Sequence, residues 1–203
     1  MSARAQGRAD PVKPRGRPRS QASERAILEA TLELLSELGY GAVTVDAIAA
    51  RAGASKSTIY RRWPSKENLV IAAFARSPLL VAPKRGTVEA RLTEVILQFA
   101  TFMQQTPLGG VLPALVVERA HNPGLDAALM PLVHQRRQAA IDVLREGVTR
   151  GELPAGIDFD TAVDLLTGPV LQRIMVMGQP AGRRFVSGVV KVVCAGLRAV
   201  KGG

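Results

Sequence analysis

The chain lacks the residues on which most catalytic and metal chemistry is built. It has one cysteine, Cys194, and two histidines, His121 and His134, far apart in sequence. A single cysteine excludes an internal disulfide framework and any cysteine-cluster metal site. Two separated histidines give no zinc-ligand spacing and no triad pattern. There is no Gly-rich phosphate loop, no His–carboxylate metal spacing and no nucleophile motif, so an enzyme is not expected and no cofactor is implied. No apolar run reaches the 18 or more residues of a membrane-spanning helix. The basic first residues are not followed by an apolar stretch, so no secretory leader is expected and the protein reads as cytoplasmic.

What is present is apolar surface and positive charge. Across 203 residues, 47% are hydrophobic and 22% charged, a globular composition for one or two domains. The net charge is +10, which points to a polyanionic partner, nucleic acid or an acidic membrane surface. Residues 1–19 carry six basic side chains against Asp10 alone, with Pro11, Pro14, Pro18, Gly7 and Gly16 among them. Such a segment buries too little to offset its ordering entropy and reads as a disordered basic arm. Its Pro14–Arg19 stretch (PRGRPR) is similar to an AT-hook, in which Arg15 and Arg17 enter a narrow A·T minor groove. The alternative is an arm attracted only through counterion release.

Beyond the arm the pattern is helical, without internal repeats or helix–strand alternation. Ile27, Leu28, Leu34, Leu35 and Leu38 have helical spacing from Ser20 or Ser23, and Gly39 stands where a left-handed C-cap is wanted. Thr44 caps a short helix over residues 45–51, which Gly53 breaks. Ser55 caps a second that ends at Pro64, and Ser65 opens a third running to about Ala75. Two short helices joined by a tight Gly-containing turn make a helix-turn-helix. Further helices are expected over 88–105, 111–121, 125–150, 158–177 with a kink at Gly168–Pro169, and 181–200. The fold is therefore all-α. An arm (1–19) precedes a three-helix helix-turn-helix DNA-binding domain (20–76) and a helical ligand-binding and dimerisation domain (77–203).

On the helix after Ser55, Ile59 and Trp63 are four apart and share the face that docks on the core. Ser55, Lys56, Ser57, Tyr60 and Arg61 then point outward, where an α-helix can present them to base edges and phosphates of a major groove. Thr44 and Lys66, at helix N-termini, are placed to hold phosphate oxygens.

The segments 41–49 (GAVTVDAIA) and 52–67 (AGASKSTIYRRWPSKE) resemble the DNA-binding domain of the tetracycline-repressor (TetR) family over roughly residues 20–75. The resemblance implies an all-helical homodimer. It implies a transcriptional regulator, usually a repressor, released by a small ligand in the C-terminal domain. It also implies that Thr44, Ser55, Lys56, Thr58, Tyr60, Arg61 and Lys66 occupy the family's DNA-contact positions. Ser57 departs from a common glycine, and Arg61–Arg62 from a frequent His or aromatic pair; both bear on which operator is read.

In the C-terminal part, the last two helices are apolar on more than one side, so they need a partner beyond their own core. A four-helix homodimer interface through Leu165, Ile174, Val186, Val189, Val190, Val193 and Leu197 meets that need. Phe99, Phe102, Met103, Val116, Met130, Leu166 and Val170 suit either a core or a ligand cavity, and His134 is a candidate polar contact. Arg136 and Arg137 are expected to be solvated. The effector is expected to be a small apolar or amphipathic molecule, and the partner a double-stranded, pseudo-palindromic operator. The helix from Ser65 is the natural lever between the two. A non-specific architectural or nucleoid protein would use the same arm and basic surface. A membrane-surface binder would share the charge alone.

Overall fold

The structure is a computed structural model that describes residues 17–119, 121 and 123–199; among these it is helical, with no strand. The helices are α1 (Arg17–Ala42), α2 (Val45–Ala52), α3 (Lys56–Tyr60), α4 (Lys66–Ala75), α5 (Val88–Gln105), α6 (Leu108–Arg119), α7 (Pro123–Thr149), α8 (Phe159–Leu171) and α9 (Arg183–Ala199). None is long and apolar enough to cross a membrane.

Hydroxyl caps set the N-terminal helices. The side chains of Thr44, Ser55 and Ser65 accept from the backbone N–H groups of Ala47, Thr58 and Asn68, each at 3.2 Å. Each cap satisfies a donor that the first helical turn leaves unpaired. Gly53 closes α2 in the left-handed region (φ 60, ψ 33). The N–H groups of Gly53 and Ala54 then fold back onto the carbonyls of Ala50 and Ala49, a Schellman closure.

Three expectations need correction here. Gly39 has the positive φ expected of it, but its ψ of 167 lies outside the left-handed helical region, so the chain kinks and makes one more turn to Ala42. The basic arm does not extend to residue 19: Arg17, Pro18 and Arg19 begin α1, where proline's missing N–H is harmless in the first turn. Near the other end, α8 runs through Gly168 and Pro169 and passes into a π-helical turn over Gln172–Val176.

Two apolar clusters hold the helices together. The first joins Ile27, Leu34, Ile48, Ile59, Leu69 and Phe74 of α1–α4 to Phe102 and Met103 of α5, Leu115 of α6 and Leu125, Leu129 and Leu132 of α7. The second joins Val88, Leu92 and Ile96 of α5 to Val143 and Leu144 of α7, Leu166 and Val170 of α8 and Val186, Val190 and Cys194 of α9. Helices α5 and α7 belong to both, so the packing is continuous across residue 76.

Candidate functional site

Helix α3 is anchored by Ile59, which is buried, and by Trp63 packed at the edge of the same cluster. The helix itself is five residues and stops short of the end expected at Pro64. Its bonding nevertheless persists, because Arg61 donates to the Ser57 carbonyl at 3.1 Å and Trp63 to that of Ile59 at 2.9 Å. Ser55, Lys56, Ser57, Tyr60 and Arg61 lie on the exposed side, and Tyr60 keeps 49% of its surface open. Thr58 is half-buried. The Ser55 hydroxyl lies 3.0 Å from that of Ser57 and 2.9 Å from that of Thr58, which clusters three hydroxyls at the start of α3. The Lys56 ammonium pairs with Asp46 on α2, and both side chains are exposed. Thr44 is exposed as well.

Lys66 is placed differently from the expectation of a phosphate-holding cation. Its ammonium donates to the carbonyls of Tyr40 (3.1 Å) and Val43 (3.2 Å) and sits 4.1 Å from the centre of the Tyr40 ring. It therefore ties α4 to the end of α1. The Tyr40 hydroxyl donates to Glu67 at 2.6 Å. Burial, with that carboxylate beside it, pushes the Tyr40 hydroxyl well above its ordinary pKa. For Glu67 burial acts upward, but bonds from Tyr40, its own backbone and Ser65 outweigh it and hold the carboxyl below the usual range. Arg51 forks onto Glu37 at 3.0 and 2.9 Å and fastens α2 to α1. Of the arm residues, Arg15 lies outside the described residues. Arg17 is the first residue of α1, and its side chain is likewise outside the description.

A cavity of about 230 Å³ lies at the seam between the two clusters. Phe99, Phe102, Met103, Leu112, Leu132 and Val133 form much of its apolar wall, and Arg136, Arg137, Asp164 and Thr167 supply the polar groups. The other candidates do not line it. Val116 faces outward from α6 with 52% of its surface open, and His134 is exposed on α7. Met130 packs against the first cluster, and Leu166 and Val170 are fully buried in the second.

Arg136 is buried rather than solvated. Its guanidinium donates to the carbonyls of Phe74 (3.1 Å), Pro78 (3.2 Å) and Ser77 (3.5 Å), at and just beyond the end of α4. It lies 3.9 Å from the centre of the Phe102 ring, and its Nε has no hydrogen-bond partner among the described residues. Burial lowers its pKa from the ordinary arginine value. The sequence does carry a signal for this placement. Leu125, Leu129, Leu132, Arg136 and Ala140 follow one helical stripe, and His134 falls off it. Arg137 is half-buried and forks onto Asp164 (2.5 Å) and Asp160 (3.0 Å).

The α8–α9 surface separates into two faces. Val186, Val190 and Cys194 form the inner stripe of α9 and are fully buried in the chain's own core, so Val186 and Val190 cannot serve a partner. Ile174 is half-buried against that core too. Burial also pushes the Cys194 thiol up to about 11, which leaves it unreactive. The outer face carries an open groove that includes Leu165, Pro169, Phe185, Val189, Val192 and Val193. Leu165 is 51% and Val192 74% exposed. Leu197 is half-buried beyond this groove.

Comparison with known proteins covers both halves of the chain. Residues 27–73 match the family "Bacterial regulatory proteins, tetR family", and residues 82–193 match "Tetracyclin repressor-like, C-terminal domain". The "Uncharacterized HTH-type transcriptional regulator Rv1556" of Mycobacterium tuberculosis is 37% identical over 173 residues, covering 82% of this chain and 83% of its own. The "Uncharacterized HTH-type transcriptional regulator YdeS" of Bacillus subtilis is 31% identical over 188 residues, covering 91% and 94%. Among solved structures, the TetR family transcription regulator SCO0332 superposes with a TM-score of 0.70 at 30% identity, covering 86% of this chain and 97% of that one. The chain thus belongs to the TetR family and is a helix-turn-helix transcriptional regulator, not an enzyme.

Proposed function

We propose that the protein is a homodimeric repressor that acts in the cytoplasm. It binds a pseudo-palindromic operator through α3 and leaves it when a small apolar or amphipathic molecule occupies the cavity between α5, α6, α7 and α8. Residues 20–76 form the DNA-binding part, and residues 77–203 carry the ligand site and the dimer face. The observation that carries this reading is the outward face of α3. Lys56, Tyr60 and Arg61 are exposed on a helix whose opposite side is fixed by buried Ile59. A helix so held can enter a major groove, with its cationic groups on phosphates and its side chains on base edges. Thr44, Ser55, Ser57 and Thr58 add short hydroxyl donors beside it. Arg15 and Arg17 add charge from the N-terminal side.

Symmetry supplies the second half-site. The exposed apolar face of α8 and α9 is suited to an isologous contact, with Leu165, Val189 and Val193 facing their own copies across a two-fold axis. Two copies of α3 then meet successive major-groove faces about 34–36 Å apart. A ligand that favours another separation lowers DNA affinity by its differential affinity for the two states.

The test is a binding titration of the full chain on duplexes from the region upstream of its own gene, against scrambled duplexes at physiological salt. A regulator is expected to prefer one symmetric site by roughly 1000-fold or more. Equal affinity for scrambled DNA would favour a non-specific architectural protein.

A further inference from the structure

Arg136 is a buried cation with incomplete partners. Among the described residues it forms no ion pair with a carboxylate, and its guanidinium is bound only by neutral carbonyls at 3.1, 3.2 and 3.5 Å. Its Nε–H is sealed from water and has no acceptor among the described residues. Buried donors are nearly always satisfied, so an orphan on the wall of an apolar cavity marks a place where an acceptor is missing. The second arginine on that wall is already engaged, since Arg137 is forked onto Asp164 and Asp160. With Arg137 neutralised by its two aspartates, Arg136 is the one guanidinium on the cavity wall without a carboxylate partner among the described residues.

We propose that the cavity takes a small amphiphile with a single carboxylate head, and that Arg136 is the residue that binds that head and selects for it. The proposal rests on the reading of the cavity as the effector site and names the ligand class. One negative charge matches the one uncompensated positive charge; a phosphate dianion would exceed it. A carboxylate takes a guanidinium through two parallel charge-assisted bonds, shorter and stronger than bonds to neutral carbonyls. To meet it, the guanidinium turns on its stem so that Nε–H is used, and it gives up its hold on the carbonyls of Phe74, Ser77 and Pro78. Those carbonyls belong to the end of α4 and the turn that follows. The same movement that binds the acid therefore unfastens α7 from the last helix of the DNA-binding part. Phe102, stacked on the guanidinium, forms the apolar wall nearest the head.

The test compares octanoate with 1-octanol and methyl octanoate on the full-length protein at pH 7.5, by calorimetry and by operator release. The acid is expected to bind about tenfold or more tightly than either neutral chain, and it alone should release the operator. In R136M the three probes should bind within about twofold of one another, and octanoate should no longer release DNA. R136K keeps the charge but loses the two-pronged geometry, so its preference for the acid should fall at least threefold. Neutral chains that bind wild type as tightly as octanoate would overturn the ligand class while leaving the cavity's role intact. Acid preference unchanged in R136M or R136K would overturn the role of Arg136. If none of the probes binds wild type, the cavity's reading as an effector site fails and the proposal with it. The wild-type comparison stands even if a variant does not fold.

Discussion

The two ends of the molecule are built from different kinds of information. Around α2 and α3 each special position acts locally: Thr44, Ser55 and Ser65 cap the helix they precede, and Gly53 closes the one it follows. In the α5–α9 part the decisive contacts join residues far apart in the chain. Arg136 meets Phe74 across 62 positions, and Arg183 pairs with Glu94 across 89. The difference shows why the DNA-binding end can be read from a short motif, while the α5–α9 end depends on which helix faces meet.

The sharpest way to break this comparison is at the proposed dimer face, where two substitutions should act on the whole assembly. Leu165→Glu together with Val192→Glu would place four carboxylates across an apolar two-fold contact. Sedimentation should show monomers, and operator affinity should fall by 100-fold or more, because one half-site alone remains. A dimer of unchanged affinity would move the interface elsewhere.

A smaller effect is expected where α7 passes close to α5. A Cβ added at Gly147 would stand 2.4 Å from a Val88 methyl and 3.2 Å from Leu153. Val88 is fully buried and has little room to retreat. Gly147→Ala should therefore lower stability by about 1–2 kcal/mol, although the same change in an open helix would raise it. Urea denaturation followed by circular dichroism checks the sign, and a gain in stability would show that Val88 moves aside.

The smallest effect belongs to the DNA-binding end and concerns pH. The Tyr40 hydroxyl is raised in the folded state, so its contribution is fully present below the ordinary tyrosine pKa of about 10 and is lost as pH rises through the folded value. Wild type should lose stability more steeply above pH 10 than Tyr40→Phe. Parallel curves for the two proteins would assign the alkaline loss to other groups.

How much was legible follows from the same contrast. The caps, the turn at Gly53 and the anchoring of α3 on Ile59 are set by neighbours within a few residues, so pattern alone reaches them. The hold of Lys66 on the carbonyls of Tyr40 and Val43 is not legible in the sequence, because it is set by the way α4 packs against the end of α1. That Val186 and Val190 face the chain's own core instead of a partner escapes the pattern, because two apolar stripes on α9 look alike until the core chooses one. Phe99, Phe102 and Met103 have the same apolar character as Leu166 and Val170, and only the meeting of the two clusters separates wall from core. Arg136 lay on the buried stripe of α7 all along, but its charge argued for solvent. The carbonyls that receive it come from α4 and the turn beyond it.

The central claim is that the exposed side of α3 reads DNA, and the most direct measurement is operator affinity for Lys56→Ala and Tyr60→Ala by fluorescence anisotropy, with circular dichroism confirming the fold. Each should weaken binding roughly 10–100-fold while thermal unfolding stays close to wild type, since neither side chain supports the core. Wild-type affinity in both variants would contradict the account.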